Sequence, residues 1–310
     1  MSTTLITQIE HYLIFCKSQK CLDEKTIKAY KIDLTQFSLV IDSKDVNHIS
    51  IEVLEEFISF LHTSYKPKTA KRKIASIKAF FHYLEYKDII LINPFNKMQI
   101  KFREPVILPK TIPLYIIEKL LKTLYHQHTI AKTSVQKRKT LRDIAVIELL
   151  FSTGIRISEL CSLRASDVNL IDNTLLIYGK GNKERRIQIC NDDVLKALSN
   201  YQNCYYEWIC KSNYFFVTQA AQPISDQSVR RMIRKYSALS GIDMCITPHM
   251  FRHTFATSLL ETDVDIRYIQ EMLGHSSINI TEIYTHVTTS KQKDILQNKH
   301  PRKNLKVGED

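Results

Sequence analysis

The segment Thr247-Pro248-His249-Met250-Phe251-Arg252-His253-Thr254 starts a helix and forms one corner of a charged site. Threonine followed by proline marks a helix start. The threonine stands at the N-cap, and proline gives up an N–H that has no partner in the first turn. His249 and Arg252 then lie three residues apart and share a face. His249 and His253 also share a face and have the spacing of metal ligands. The segment supplies no matching carboxylate, so neither a metal nor a cofactor is expected.

Further chemistry-bearing segments extend outward from this helix. Upstream, Thr153-Gly154-Ile155-Arg156-Ile157-Ser158-Glu159-Leu160 reads as a helix over 141–151 stopped by Gly154. A second, short helix follows from Ile157 to Leu163, with Arg156 at its start. A guanidinium beside exposed helix N–H groups suits an anion. Residues 175–177 (Leu-Leu-Ile) and 187–189 (Ile-Gln-Ile) read as strands around Gly179-Lys180-Gly181-Asn182, a β-hairpin pattern with Lys180 at its tip. Downstream, Gly274 closes a helix over 266–273 and hands the chain to His275. Tyr284 follows on a short helix over 279–286.

Each of these segments has an ordinary structural explanation when taken singly. An arginine after a glycine is usually a surface residue, Gly-x-Gly-Asn is a common hairpin, and Tyr284 is one of fifteen tyrosines. Together they offer two arginines, a lysine, two histidines and a phenol, a set suited to a phosphodiester. Phosphoryl transfer places extra charge on the phosphate oxygens, and fixed cations stabilise it. Nearby cations and a base make a phenol a usable nucleophile.

The first hundred residues read as four helices. Ile27, Tyr30, Leu34, Phe37 and Ile41 share one face, as do Leu54, Phe57, Ile58 and Leu61. The fourth helix, 68–86, carries an apolar stripe of Ala70, Ile74, Ile77, Phe81 and Leu84. Lys68, Lys71, Arg72, Lys78 and His82 fall opposite. Residues 65–87 hold seven Lys or Arg against one acidic residue, Glu85, so this face is expected to contact DNA. Residues 101–113 contain three prolines and no helical period, which reads as a stiff linker between a domain at 1–100 and one at 114–310. Within the second domain, 114–125 reads as a helix and 126–139 as a basic surface loop. Helical patterns also cover 192–209 and 225–239. The latter carries Arg230, Arg231, Arg234 and Lys235, further candidates for DNA contact, while Val229, Met232, Ile233 and Tyr236 read as core.

Composition agrees with these readings. The 310 residues are 44% hydrophobic and 25% charged, which excludes a wholly disordered chain. Lys and Arg number 44 against 32 Asp and Glu, a net +12 that favours a polyanionic partner. The seven cysteines are irregularly spaced and form no Cys-x-x-Cys, so reduced thiols in the cytoplasm are expected rather than a disulfide framework. No membrane span and no signal peptide are expected.

The ordered set TGIRISEL, GKGNKER, HMFRHTFATSLLE and LGHSSINITEIYTHV resembles the tyrosine recombinase (phage integrase) family, and within it the Xer-type recombinases. KTIKAYKIDLTQF is similar to the family's N-terminal core-binding helices, and HPRKN to the Xer tail. The resemblance implies a mainly α fold with a small β-hairpin or sheet: a SAM-like core-binding domain and a catalytic domain closing as a C-shaped clamp on duplex DNA. It maps the family's catalytic residues onto Arg156, Lys180, His249, Arg252, His275 and Tyr284, with His253 in support.

The resemblance also implies a mechanism. Tyr284 attacks a scissile phosphate, giving a 3′-phosphotyrosyl bond and a 5′-hydroxyl. Arg156 and Arg252 hold the non-bridging oxygens, Lys180 protonates the leaving oxygen, His249 takes the tyrosine proton, and His275 bonds the phosphoryl group. Strands then exchange through a Holliday junction without metal or ATP. Four protomers, of this chain alone or with a paralogous recombinase, would act on paired inverted half-sites, with 287–300 docking on a neighbour. Two departures stand out: Glu261-Thr262-Asp263 replaces a glycine-containing turn, and 126–139 is longer than the usual loop. No separate arm-binding domain is expected. The alternatives are a type IB topoisomerase-like enzyme that only relaxes DNA, or a non-catalytic DNA-binding factor.

Overall fold

The computed structural model describes residues 4–41, 43–100, 110–179, 184–262 and 264–274. The chain divides into two compact units, 1–106 and 107–310.

In the N-terminal unit four helices follow one another: α1 (Leu5–Ser18), α2 (Glu24–Val40), α3 (Ile51–Ser64) and α4 (Pro67–Tyr86). Asp23 caps α2 by accepting the Thr26 N–H at 2.9 Å. Pro67 opens α4 at its first position. The apolar stripes meet in an aromatic core. Tyr12, Phe37, Phe80 and Phe81 are fully buried, and Phe57 packs edge-on against Phe37 at 4.9 Å. One carboxylate is buried with them. Asp33 of α2 takes an ion pair from Arg72, the Lys73 ammonium at 3.1 Å and the Ser76 hydroxyl at 2.8 Å, all from α4. These partners satisfy a charge that would otherwise be costly to bury.

The C-terminal unit is built around α6 (Ser134–Thr153). Its residues 143–150 are all buried, so this stretch of the helix is covered on every side and needs neighbours all round. Those neighbours are α5 (Leu114–Thr129), α8 (Asp192–Ser212) and α10 (Pro248–Glu261). Two carboxylates lie in the buried run: Asp143 accepts the Tyr236 hydroxyl at 3.0 Å and the Arg142 guanidinium at 2.8 Å, and Glu148 accepts the Tyr125 hydroxyl at 2.9 Å. Ile112, near the end of the proline-rich stretch, is already core here. It is 1% exposed, and its N–H donates to the Thr254 hydroxyl at 2.7 Å.

Three strands lie at one side: β1 (Val168–Asn169), β2 (Thr174–Tyr178) and β3 (Glu184–Gln188), antiparallel in the order β1-β2-β3. Leu175 pairs with Ile187 and Ile177 with Arg185, so these four share a face. The short helix α7 (Ile157–Ser162) precedes the sheet. α9 (Asp226–Leu239) and α11 (Ile266–Leu273) complete the described α-helices. No helix among the described residues is long and apolar enough to cross a membrane.

The basic stretch 126–139 is not a loop. α5 continues to Thr129, and α6 begins at Ser134. A capping box explains the early start: the Gln136 N–H donates to the Thr133 hydroxyl, and the Gln136 side chain returns to the Thr133 N–H. The polar residues are exposed first and last turns of two helices.

Candidate active site

The site is organised around the C-terminal end of α11. Gly274 ends that helix in the left-handed region at φ +64°, which leaves its last carbonyls without partners in the helix. Three guanidinium groups take them. Arg185 on β3 donates from Nε to the Met272 carbonyl at 2.8 Å. Arg252 on α10 donates from Nη2 to the Leu273 carbonyl at 2.6 Å and from Nη1 to the Gly154 carbonyl at 2.9 Å. Arg156 leads into α7 and reaches the Leu273 and Gly274 carbonyls at 3.5 and 3.4 Å. The arginines expected at 156 and 252 therefore converge on one point, immediately before His275.

Glycine at 154 permits this approach. Its φ is +59°, and a Cβ there would stand 2.7 Å from Phe255 Cδ1 and 3.0 Å from Leu273 Cδ2. Gly154→Ala is expected to destabilise the C-terminal unit by about 2–4 kcal/mol, combining left-handed strain with overpacking. A thermal melt checks this, and an unchanged Tm would contradict the packing described.

A buried carboxylate joins two of the arginines. Glu159, 6% exposed, accepts the Arg156 N–H at 2.9 Å and Arg156 Nη1 at 2.7 Å. Arg185 adds Nη1 at 3.1 Å and Nη2 at 2.7 Å. Burial alone would raise the Glu159 pKa. The hydrogen bonds and charges of Arg185 and Arg156 outweigh it and hold the carboxyl below its ordinary range.

His249 sits at the start of α10, where Pro248 takes the first position. Thr247 stands at the N-cap, but its side chain makes no capping bond. The His249 pKa is lowered, first by loss of hydration and then by the charges of Arg230, Arg252 and Arg156. The imidazole is therefore neutral at pH 7, the form that accepts a proton. One turn on, burial, then His249 and Arg252, lower the His253 pKa from 6.5 to about 4. The fold thus favours neutral His253. That stabilisation is full above pH 6.5 and is lost as pH falls towards about 4. Between pH 7 and 4.5, His253→Gln is expected to lose less stability than the wild type, by on the order of 1–2 kcal/mol given partial exposure. Denaturant melts across that range check this, and equal slopes would contradict it.

Lys180, His275 and Tyr284 lie outside the described residues, as do the helix expected over 279–286 and the tail at 287–300. Of the expected DNA contacts, Lys68, Lys71, Arg72, Lys78 and His82 are exposed on α4, with Arg72 held on Asp33. Lys73, on the same helix, is buried beneath them. On α9, Arg231 and Arg234 are exposed, while Arg230 is half-buried and its charge reaches His249. Glu159 and Arg185 were not singled out from sequence. The readable signal was an arginine in register with Ile187 on the core-facing side of β3. Among the described residues no group of three His, Cys, Asp or Glu could hold a metal ion.

Comparison with known proteins places this geometry in a family. Residues 118–291 match the model described as the phage integrase family, and residues 9–87 match the phage integrase N-terminal SAM-like domain. A tyrosine recombinase of Agathobacter rectalis is 68% identical, covering 97% of this chain and 98% of its own. The XerD tyrosine recombinase of Staphylococcus haemolyticus is 32% identical, covering 96% and 99%. The XerH site-specific recombinase, in a post-cleavage complex with palindromic difH substrate, shares the fold at a TM-score of 0.70 and 21% identity, covering 91% and 82%. With both units matched and a recombinase aligned nearly end to end, the chain belongs to the phage integrase family of tyrosine-type site-specific recombinases.

Proposed function

We propose that this recombinase cuts and rejoins DNA through a transient 3′-phosphotyrosyl bond at Tyr284, with Arg156 and Arg252 holding the scissile phosphate. The convergence of those two guanidinium groups beside the Gly274 turn carries this reading. Tyr284 attacks phosphorus, the 5′-oxygen leaves, and Lys180 protonates it. Neutral His249 takes the phenol proton; when a 5′-hydroxyl from a second duplex attacks, its proton passes to Lys180 and His249 returns its own to the departing Tyr284 oxygen. His275 donates to a phosphoryl oxygen. One phosphoester replaces another at each step, so the exchange is energetically balanced and passes through a Holliday junction.

In this reading residues 1–100 form a core-binding domain, 101–113 a linker and 114–310 the catalytic domain. Lys68, Lys71, Arg72 and Lys78 contact one DNA surface, and Arg230, Arg231 and Arg234 another. Four protomers, identical or shared with a paralogous recombinase, act in the cytoplasm on two sites of inverted half-sites. The reaction would serve separation of joined chromosomes, or integration and excision of a mobile element. The genomic position of the bound site separates these uses.

The test is a supercoiled plasmid carrying two copies of the site that the wild-type protein selects from a random library. Recombinant circles are expected. Relaxed circles alone would favour a topoisomerase-like activity, and binding without cleavage a non-catalytic factor.

A further inference from the structure

The arrangement around Glu159 raises a question of charge. Arg156 is the outer member of the cluster, with its side chain 32% exposed, while Arg185 and Glu159 are at 9% and 5%. Glu159 uses both oxygens on both arginines, four hydrogen bonds that saturate the carboxylate. Arg185 contributes two terminal N–H bonds in a bidentate pair, the stronger geometry. Arg156 contributes one terminal nitrogen and its main-chain N–H. Arg185 also holds the Met272 carbonyl, so β3 and the end of α11 are tied through one side chain. At Gly274 an added Cβ would come within 3.0 Å of Arg185 Nη1, so the guanidinium packs flush against the turn.

We propose that Arg185 is a positioning residue: it neutralises Glu159 and fixes the end of α11, so that Arg156 keeps its positive charge for the phosphate. The three arginines and one carboxylate together leave two positive charges. Without Arg185, the Glu159 carboxylate would be matched by Arg156 alone. That pair would be closed and neutral, leaving Arg252 as the one uncompensated guanidinium of the cluster. A phosphodiester gaining charge at its oxygens would then meet half the cation it needs. Arg185 touches no reacting atom in this scheme. This inference rests on the assignment of Arg156 and Arg252 to the scissile phosphate.

The test uses full-length protein and nicked duplexes of the selected site. Arg185→Met is expected to slow formation of the covalent complex about 100-fold, with DNA affinity changed less than about threefold. Adding Glu159→Gln removes the surplus negative charge, while the amide oxygen still accepts the Arg156 N–H. The double variant should cleave at least about tenfold faster than Arg185→Met alone, since a buried ion pair is replaced as a unit. A purely structural role gives no such recovery. An Arg185→Met rate within threefold of wild type, or a double variant no faster than the single, overturns the proposal. If Arg185→Met does not fold, the folded double variant decides: within about tenfold of wild type supports the proposal, about 100-fold slower overturns it.

A second readout needs no DNA. Arg156 is among the charges depressing the His249 pKa, together with Arg230 and Arg252. By NMR, Arg185→Met should raise the His249 midpoint and the double variant should lower it again; an unmoved midpoint counts against the proposal. A wild type that binds DNA without covalent capture refutes the recombinase mechanism, while the titration still reports on Arg185.

Discussion

Arg252→Gln is expected to slow DNA cleavage by about 10²–10³-fold and to destabilise the C-terminal unit by about 2–4 kcal/mol. Both effects have one origin. Arg252 is 4% exposed and spans two helix ends, donating to the Gly154 carbonyl that closes α6 and the Leu273 carbonyl that closes α11. Glutamine is shorter and cannot reach both, so at least one buried acceptor is left without its donor. The same truncation removes a fixed positive charge from the proposed phosphate position. Arg252→Lys keeps the charge but loses the planar fork, so it should fall between wild type and Arg252→Gln in both measurements. Urea melts and single-turnover cleavage check the pair. A variant that loses stability yet cleaves at the wild-type rate would remove Arg252 from the phosphate site.

Tyr284→Phe is expected to abolish covalent capture, lowering cleavage by ~10⁴-fold or more, while DNA affinity stays within about threefold. On the proposed mechanism, loss of one hydroxyl removes the nucleophile and leaves the cationic surfaces intact. The split between binding and chemistry is the informative part. Affinity falling in step with cleavage would mean that Tyr284 serves binding instead. In a mixture with wild type, the variant should occupy sites and reduce recombination if exchange follows the proposed four-protomer scheme.

Much of the fold was legible in the sequence, for identifiable reasons. α4 stands out because apolar residues recur at helical spacing, and α11 because Gly274, a residue with a strong local preference, stops it. The hairpin strands are readable from short apolar-rich runs on either side of 179–182. β1 is not, because two residues are too few to show a period. The stretch 126–139 was misread because exposed helix ends are as polar as loops. The Thr133–Gln136 box, which uses no apolar residue, is the feature that starts α6 there.

The candidate site divides in the same way. Arg156 and Arg252 were found because each sits beside a glycine stop or a proline start. Arg185 acts through residues distant in sequence: it meets Glu159 across 26 positions and Met272 across 87. No local pattern encodes such a contact, although an arginine in register with Ile187 hints that it faces inward. Lys73 shows the converse limit. Within a run of basic residues on α4 it looks like its exposed neighbours, yet it is buried against Asp33. Composition does not separate a lysine that balances a buried carboxylate from one facing solvent.

The most direct measurement is mass spectrometry of the complex trapped on a nicked duplex of the selected site. A single nucleotide remnant, joined through its 3′-phosphate to the phenolic oxygen of Tyr284, is the expected result. A remnant on another side chain, or none from a wild-type sample that demonstrably holds the DNA, would contradict the assignment of Tyr284 and of the arginine cluster that serves it.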